Sequence, residues 1–477
     1  MTMIRRKIAP LGALSIKPKT GKVPHPRFSV VPSISKLKLI FIIAWAFMTF
    51  GLTILSHPVQ GAPSIAEAPP LSPSGPLNYE EAVRIAINQS PVLRKSSLEI
   101  EVKRMDETDT RYGLFPSIDF RTYYYVNRPS GIGGVPYSLN FSTDPNYNPI
   151  ASYFALQAQK LATEAAILTH LKVISAGLER LGQIFIFLDL IKNQTLAAKD
   201  HLNICREKLT YTENRLSAGT GTPLEVKEAQ QRLKTVQAEL EHLASQQKRG
   251  LSNLKNFLGL KPTQELTPDL QNTHRQLMGS FDPASVTWEQ AKSRSYDLKV
   301  MEIVIKLQGY NVKLAKAKSL PTILFTTQTP DPLNAGQYGL YTGFGLYVPL
   351  WDGFKRIRNV SRQKTVLKQF DSDKTLAEKE LENKFHESQE KVMAAANNLH
   401  LAHSQIELLQ LKARQYETSY QSGGVLLSLV LESQKEVFLG KKQMFIAAME
   451  YDKEVLALRQ ISGDLGHTYV QASSWQK

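Results

Sequence analysis

The sequence predicts a mainly α-helical chain with a small transmembrane β part, and three observations predict it. Two stretches of roughly 65 residues keep helical spacing with almost no helix breaker, far beyond the helix length of an ordinary globular domain. Each is preceded by a pair of short segments with alternating side chains and many aromatics, the pattern of strands with one apolar face. The whole plan then recurs about 205 residues further on, so the chain reads as two internal repeats.

At 477 residues the chain is long enough for two to four ordinary domains or for one elongated one. Its formal net charge is +15, yet nine of the cations, from Arg5 to Lys38, lie in residues 1–61 with no acid among them. That leaves +6 for the remainder, too little to argue for a nucleic-acid partner.

The basic leader runs into Leu39–Leu55, an uncharged apolar stretch, and residues 1–61 are expected to be an export signal with an extended basic leader. Val59 and Gly61 suit cleavage before Ala62. The alternative is an uncleaved anchor, because 17 apolar residues sit at the low end of a spanning helix. Cys205 is the single cysteine, so no internal disulfide forms, and no cysteine stands directly after the apolar run to carry a lipid. Residues 62–76, rich in Pro, Ser and Ala, are expected to be a disordered linker.

The first repeat is placed at 77–270. Leu77 to Ala82 (LNYEEA) opens a short helix with acids near its N-terminus, where the helix dipole favours them. Ser90-Pro91 restarts a helix, Ser as N-cap and Pro at the first helical position. Strands are expected at about 116–126 and 135–142, joined by a loop rich in Gly and Pro. A helix from about Ile150 to Ser217 would be ~100 Å long if continuous. Ala218 to Pro223, with Gly219 and Thr222, forms a tight reversal, and a return helix reaches Gly259. Its apolar residues Val226, Ala229, Leu233, Val236, Leu240 and Leu243 fall at heptad spacing, so it packs along a partner as a coiled coil.

The second repeat is placed at 284–466. Val286 to Ala291 (VTWEQA) matches the first opening, and Ser295 holds the place of Ser90. Strands are expected at about 321–328 and 340–349. In the second, Leu340, Thr342, Phe344, Leu346, Val348 and Leu350 share one face, and Tyr341, Gly343, Gly345 and Tyr347 the other. Pro349 ends sheet pairing, Trp351 follows, and Asp352-Gly353 turns the chain into a helix from Lys355 to Gln421. Ser422-Gly423-Gly424 reverses it, and a return helix to about Ile461 repeats Val430, Val437, Met444, Tyr451, Leu458 and Leu465 every seven residues. Residues 467–477 are expected to be a C-terminal tail.

Four strands cannot close a barrel, and open strand edges cannot face lipid. Several copies of the chain are therefore needed; three would give 12 strands, within the range of outer-membrane barrels, although sequence does not fix the number.

Taken together, Leu77-x-Tyr79-x-Glu81-Ala82 with Ser90-Pro91-x-Leu93, Gly219-x-x-x-Pro223-Leu224-Glu225-Val226, Pro349-Leu350-Trp351-Asp352-Gly353 and Tyr420-x-x-Gly423 with Val430-Leu431-Glu432-x-Gln434 resemble the outer membrane efflux protein family. These are the TolC-like ducts of tripartite efflux or type I secretion systems in Gram-negative bacteria. The resemblance implies a homotrimer in outer-membrane lipid, with a 12-stranded barrel of four strands per chain continuing into a long α-helical coiled-coil tunnel. It implies a passive exit duct for small molecules or secreted proteins. The tips, with Gly219, Thr222, Pro223, Gly423 and Gly424, would meet a periplasmic adaptor linked to an inner-membrane pump. Glu225, Tyr420 and Glu432 become candidates for the periplasmic aperture, and Pro349, Trp351, Asp352 and Gly353 for the strand-to-helix junction. Two departures stand out. Asp144 to Pro149 replaces the Pro-Leu-aromatic-Asp-Gly junction in the first repeat, and Leu429 stands where the family usually has an acid.

Catalytic chemistry is not expected, nor a cofactor. His400 and His403, three apart on a helix, have no third metal ligand nearby in sequence. Gly131-Ile-Gly133-Gly134 lies between strands with no following helix to bind an anion. The competing readings are an inner-membrane-anchored periplasmic adaptor with coiled-coil hairpins, and a coiled-coil protein without a pore. An adaptor normally has one hairpin, and a pore-free coiled coil leaves the tyrosine-rich strands unexplained.

Overall fold

The computed structural model describes residues 75–115, 117–122, 137–142, 148–328, 341–348 and 351–470. The leader 1–61, most of the linker, Gly131–Gly134, Pro349 and residues beyond 470 lie outside them.

Helix α1 (Tyr79–Gln89) is capped by Asn78, whose side-chain oxygen accepts from the Glu81 N–H at 2.8 Å. Helix α2 (Pro91–Tyr112) follows with only Ser90 between them. Ser90 occupies the N-cap position as expected, but its hydroxyl makes no capping bond. Its backbone N–H instead closes α1 on the Ala86 carbonyl, and the residue is buried. The counterpart, Ser295, does cap its helix, accepting from the Leu298 N–H at 3.4 Å.

Strands β1 (Ser117–Thr122), β2 (Tyr137–Ser142), β3 (Thr322–Gln328) and β4 (Tyr341–Tyr347) form one antiparallel sheet in that order. The two hairpins are joined through β2 and β3, where Asn140, Phe141 and Ser142 pair with Gln328, Thr327 and Thr326. Among the described residues, β1 and β4 are each paired on one side only.

Two helical hairpins carry most of the chain. Helix α3 (Pro149–Ser217, 69 residues) returns as α4 (Pro223–Leu258). After the short α5 (Thr273–Met278), a 3-10 turn, α6 (Trp288–Arg294) and α7 (Tyr296–Ala317) comes α8 (Lys355–Gln421, 67 residues), which returns as α9 (Leu427–Ile461). At 1.5 Å per residue, α3 and α8 are each ~100 Å long. Helix α10 (Asp464–Val470) runs across the boundary expected after residue 466, so the tail begins as a helix.

Helix α3 packs against α2, α4, α7 and α9, and its sequence fits it for that central place. A Cβ at Gly182 would lie 2.6 Å from Leu456 Cδ2, so the missing side chain is what lets α9 approach. Around this crossing Tyr79, Leu93, Leu178, Leu181, Phe185, Leu254, Leu258, Phe385 and Leu456 form the main core. Tyr79 sits edge-on to Phe185 and donates its hydroxyl to the Leu178 carbonyl at 3.1 Å. Toward the turns, α4 buries Ala229, Val236 and Leu243, the heptad row. On α9, Val430 and Leu458 of the expected row are buried while Val437, Met444 and Tyr451 are half-buried. Phe438 and Ala447 are buried instead, because a seven-residue row drifts by about 20° per heptad on a straight helix. Among the described residues no helix is long and apolar enough to cross a membrane.

Candidate functional site

The two helical reversals are built differently. In the α3–α4 turn Gly219 takes φ 74°, its N–H reaches the Leu216 carbonyl, and the N–H groups of Thr220 and Gly221 reach the Arg215 carbonyl. Helix α4 then starts with a complete capping box. Thr222 accepts from the Glu225 N–H, and the Glu225 carboxylate accepts from the Thr222 N–H, both at 3.3 Å. Pro223 occupies the first helical position. In the α8–α9 turn Gly423 takes φ 80° and Gly424 N–H closes on the Ser419 carbonyl at 2.8 Å. Leu426 is the N-cap of α9 and offers no side-chain acceptor.

A ladder of polar contacts ties the two hairpins together near these turns. Arg215 Nη1 donates to Tyr420 Oη at 2.8 Å, while Nη2 of the same residue donates to the Thr220 carbonyl at 2.8 Å. Tyr211 stands edge-on to Tyr420, with ring centroids 5.8 Å apart. One turn further in, Lys208 pairs with Glu417, which also accepts from Gln434. On the other side Arg232 pairs with Glu432 at 3.0 Å and Lys442 pairs with Glu239.

These contacts set the charges. The hydrogen bond from Lys435, helped by the one from Arg232, holds the Glu432 carboxyl below its ordinary range. Glu432 is therefore ionised but flanked by two cations. Burial pushes the Tyr420 phenol up against the opposing pull of Arg215, so it stays protonated. Glu225 is engaged in the capping box and lies 3.9 Å from Arg215. Of the three aperture candidates, Tyr420 and Glu225 thus share Arg215, and Glu432 belongs to the separate Arg232 pair. No hydrogen bond or ion pair joins Glu225 to Glu432 among the described residues.

Sequence reasoning missed the cations of this ladder, because each sits on a helix among many charged residues and nothing local distinguishes it. It also missed Leu224 and Leu426, which are 65% and 69% exposed at the starts of the two return helices. Their signal was available: a leucine directly after each turn, off the heptad row. Leu429, in the place of an acid, is 45% exposed.

The strand-to-helix junctions also differ. In the second, Gly353 (φ 67°) and Phe354 (φ 63°) are consecutive left-handed residues. Asp352 closes the start of α8, accepting from the Arg356 N–H at 3.1 Å. Trp351 stands 81% exposed. In the first, Asn148 takes over: its side-chain oxygen accepts from the Ile150 and Ala151 N–H groups. Its amide donates to the Ala317 carbonyl at 2.9 Å, tying the start of α3 to the end of α7. The Asn-Pro pair at 148–149 was the available signal. Among the described residues no group of three or more metal-ligating side chains converges, and His400 and His403 remain a pair on α8.

A family model, Outer membrane efflux protein, matches residues 82–260. The chain is similar in fold to solved outer-membrane channels. The structure of CusC, solved in connection with folding and transmembrane channel formation, is 14% identical, with a TM-score of 0.68, covering 81% of this chain and 92% of that one. The open-state MtrE outer membrane channel of Neisseria gonorrhoeae is 14% identical (TM-score 0.67; 81% and 88% covered). The CmeC outer membrane channel of Campylobacter jejuni is 13% identical (TM-score 0.65; 83% and 88% covered). At such identities the likeness establishes the fold. No curated protein matches the chain by sequence.

Proposed function

From the match of residues 82–260 to the outer membrane efflux protein family model, and from the fold shared with solved outer-membrane channels, we propose that three copies of this chain form a passive exit duct. The protein is an outer-membrane protein with its helical part in the periplasm, and the family whose model it matches is one of channels.

In this reading each chain contributes four strands to a 12-stranded barrel, and the hairpins of its two repeats, 77–270 and 284–466, line a tunnel. A periplasmic adaptor engages the tips at Gly219, Thr222, Pro223, Gly423 and Gly424 and couples the duct to an inner-membrane pump, the source of transport energy. Tyr420, Glu432 and Glu225 stand at the aperture, and Trp351, Asp352 and Gly353, with Pro349, at the junction with the barrel.

One observation supports this above the rest. Among the described residues, a four-stranded sheet whose two edge strands are each paired on one side only leads directly into helices of 69 and 67 residues. Such edges are not tolerated in lipid, so further copies must pair with them. On β4, Phe344 and Leu346 are 82% and 67% exposed and point the same way, as lipid-facing residues would.

Density-gradient separation of inner and outer membranes, followed by blotting, tests the reading. The protein is expected in the outer-membrane fraction. Recovery with the inner membrane would make Leu39–Leu55 an anchor and favour the adaptor with helical hairpins.

A further inference from the structure

We propose that the second repeat carries a basic collar, at the end of α7 and the start of α8, that binds the anionic headgroups of phospholipids in the membrane leaflet facing the periplasm. The proposal rests on the outer-membrane duct reading, which puts β3 and β4 in lipid.

The charge is concentrated in one place. Residues 355–370 of α8 hold six cations and no acid, whereas residues 371–421 of the same helix hold six cations and nine acids. On α7 and the turn after it, residues 303–322 hold four lysines and no acid. The two basic segments pack as neighbouring helices and flank the β3–β4 hairpin, one leading into it and the other leaving it. A solvated helix face needs charge but not a single sign, and the rest of α8 uses both signs. Like charges crowded at one level repel each other, so an excess of one sign there calls for an anionic partner.

The placement specifies that partner. Lys316 and Lys318 lie within a turn of the α7 end, and Lys355 and Arg358 in the first turn of α8; all four are exposed. Arg362 continues the exposed row one turn below. Of the cations on these two segments, Arg356 is paired, to Asp352. Directly above, Trp351 is 81% exposed, an amphipathic aromatic of the kind expected at a membrane–water interface, and the apolar Phe354 beside it is 61% exposed. Aromatic residues at headgroup level with lysine and arginine just beneath match an anionic lipid surface, whose attraction fades within a Debye length of about 8 Å. The corresponding level of the first repeat lacks this character. There Lys103 pairs with Asp106, Arg111 pairs with Glu107, and α3 has no charge before Lys160. The collar therefore occupies one arc per chain rather than a continuous ring.

The test is lipid co-purification. The full-length protein is extracted from isolated outer membranes in non-ionic detergent, and its bound phosphatidylglycerol, cardiolipin and phosphatidylethanolamine are quantified by mass spectrometry. The wild type should enrich the two anionic lipids at least threefold over their ratio in the membrane. A variant carrying Lys316→Gln, Lys318→Gln, Arg358→Gln and Arg362→Gln should return to the membrane ratio while still reaching the outer membrane. Enrichment that is absent in the wild type, or that persists in the variant, overturns the collar and leaves the duct intact. A wild type missing from the outer membrane overturns the duct reading, and the collar with it.

Discussion

Arg215, at the end of α3, donates a hydrogen bond of 2.8 Å to the phenol of Tyr420, at the end of α8, and so joins the two helical hairpins of one chain at their turns. The same guanidinium holds the Thr220 carbonyl of its own turn and lies 3.9 Å from Glu225. A single side chain thus couples the shape of one reversal to the position of the other. The contact is only partly buried and lies at the hairpin turns, which makes it a link that can open without unfolding either hairpin.

Tyr420→Phe removes this bond and leaves the edge-on contact with Tyr211 in place. In the proposed duct the variant should show higher single-channel conductance in planar bilayers, with unchanged thermal stability. Conductance equal to wild type would separate Tyr420 from the aperture.

Gly423 needs φ 80°, and an added Cβ would meet nothing within 4 Å, so the cost of replacing it is purely one of backbone conformation. Gly423→Ala should cost about 1–2 kcal/mol locally. The oligomer should persist while cross-linking to the adaptor falls. Undiminished cross-linking and export would remove the α8–α9 turn from the adaptor surface.

Asn148 has two tasks that one substitution separates. Asn148→Asp keeps the acceptor for the Ile150 and Ala151 N–H groups but loses the donor to the Ala317 carbonyl, which is then left buried beside a carboxylate. A destabilisation of about 1–3 kcal/mol is expected, read as a lower thermal midpoint. A midpoint equal to wild type would mean that the cap alone matters.

His201 and His274 should give opposite pH dependence. Burial, reinforced by Arg232 and Lys441, lowers His201 to about 4, while it stacks on Phe438 and contacts Cys205. The unfolded chain takes up a proton below about 6.5 and the folded chain does not, so stability is complete above that pH and declines as pH falls toward 4. The loss approaches about 3 kcal/mol, and His201→Phe should abolish it. His274 is shifted upward by its hydrogen bond to Asp452. Its contribution is complete below about pH 6.5 and is lost as pH rises through the raised value, so His274→Gln should lower the midpoint at pH 6 more than at pH 8. Thermal midpoints from about pH 4 to pH 8 check both signs.

Much of the fold was legible because it is repetitive and local. The two long helices announce themselves by the absence of Pro from Ile150 to Ser217 and from Lys355 to Gln421, and both reversals by Gly at 219 and 423. What was not legible depends on neighbours distant in sequence. Lys208–Glu417 and Arg215–Tyr420 are each more than 200 residues apart, and Asn148 reaches 169 residues to Ala317. Such partners are chosen by the packing of α3 against the second repeat, which no local spacing encodes. The idle hydroxyl of Ser90 has the same origin. Its sequence fits a cap, but the chain spends only one residue between α1 and α2 and buries that side chain.

The most direct test of the account is native mass spectrometry of the protein extracted intact from purified outer membranes. It predicts one dominant species with the mass of three chains, since the open sheet edges call for further copies and the family resemblance implies three. A dominant monomer, or absence of the protein from that membrane, would contradict it.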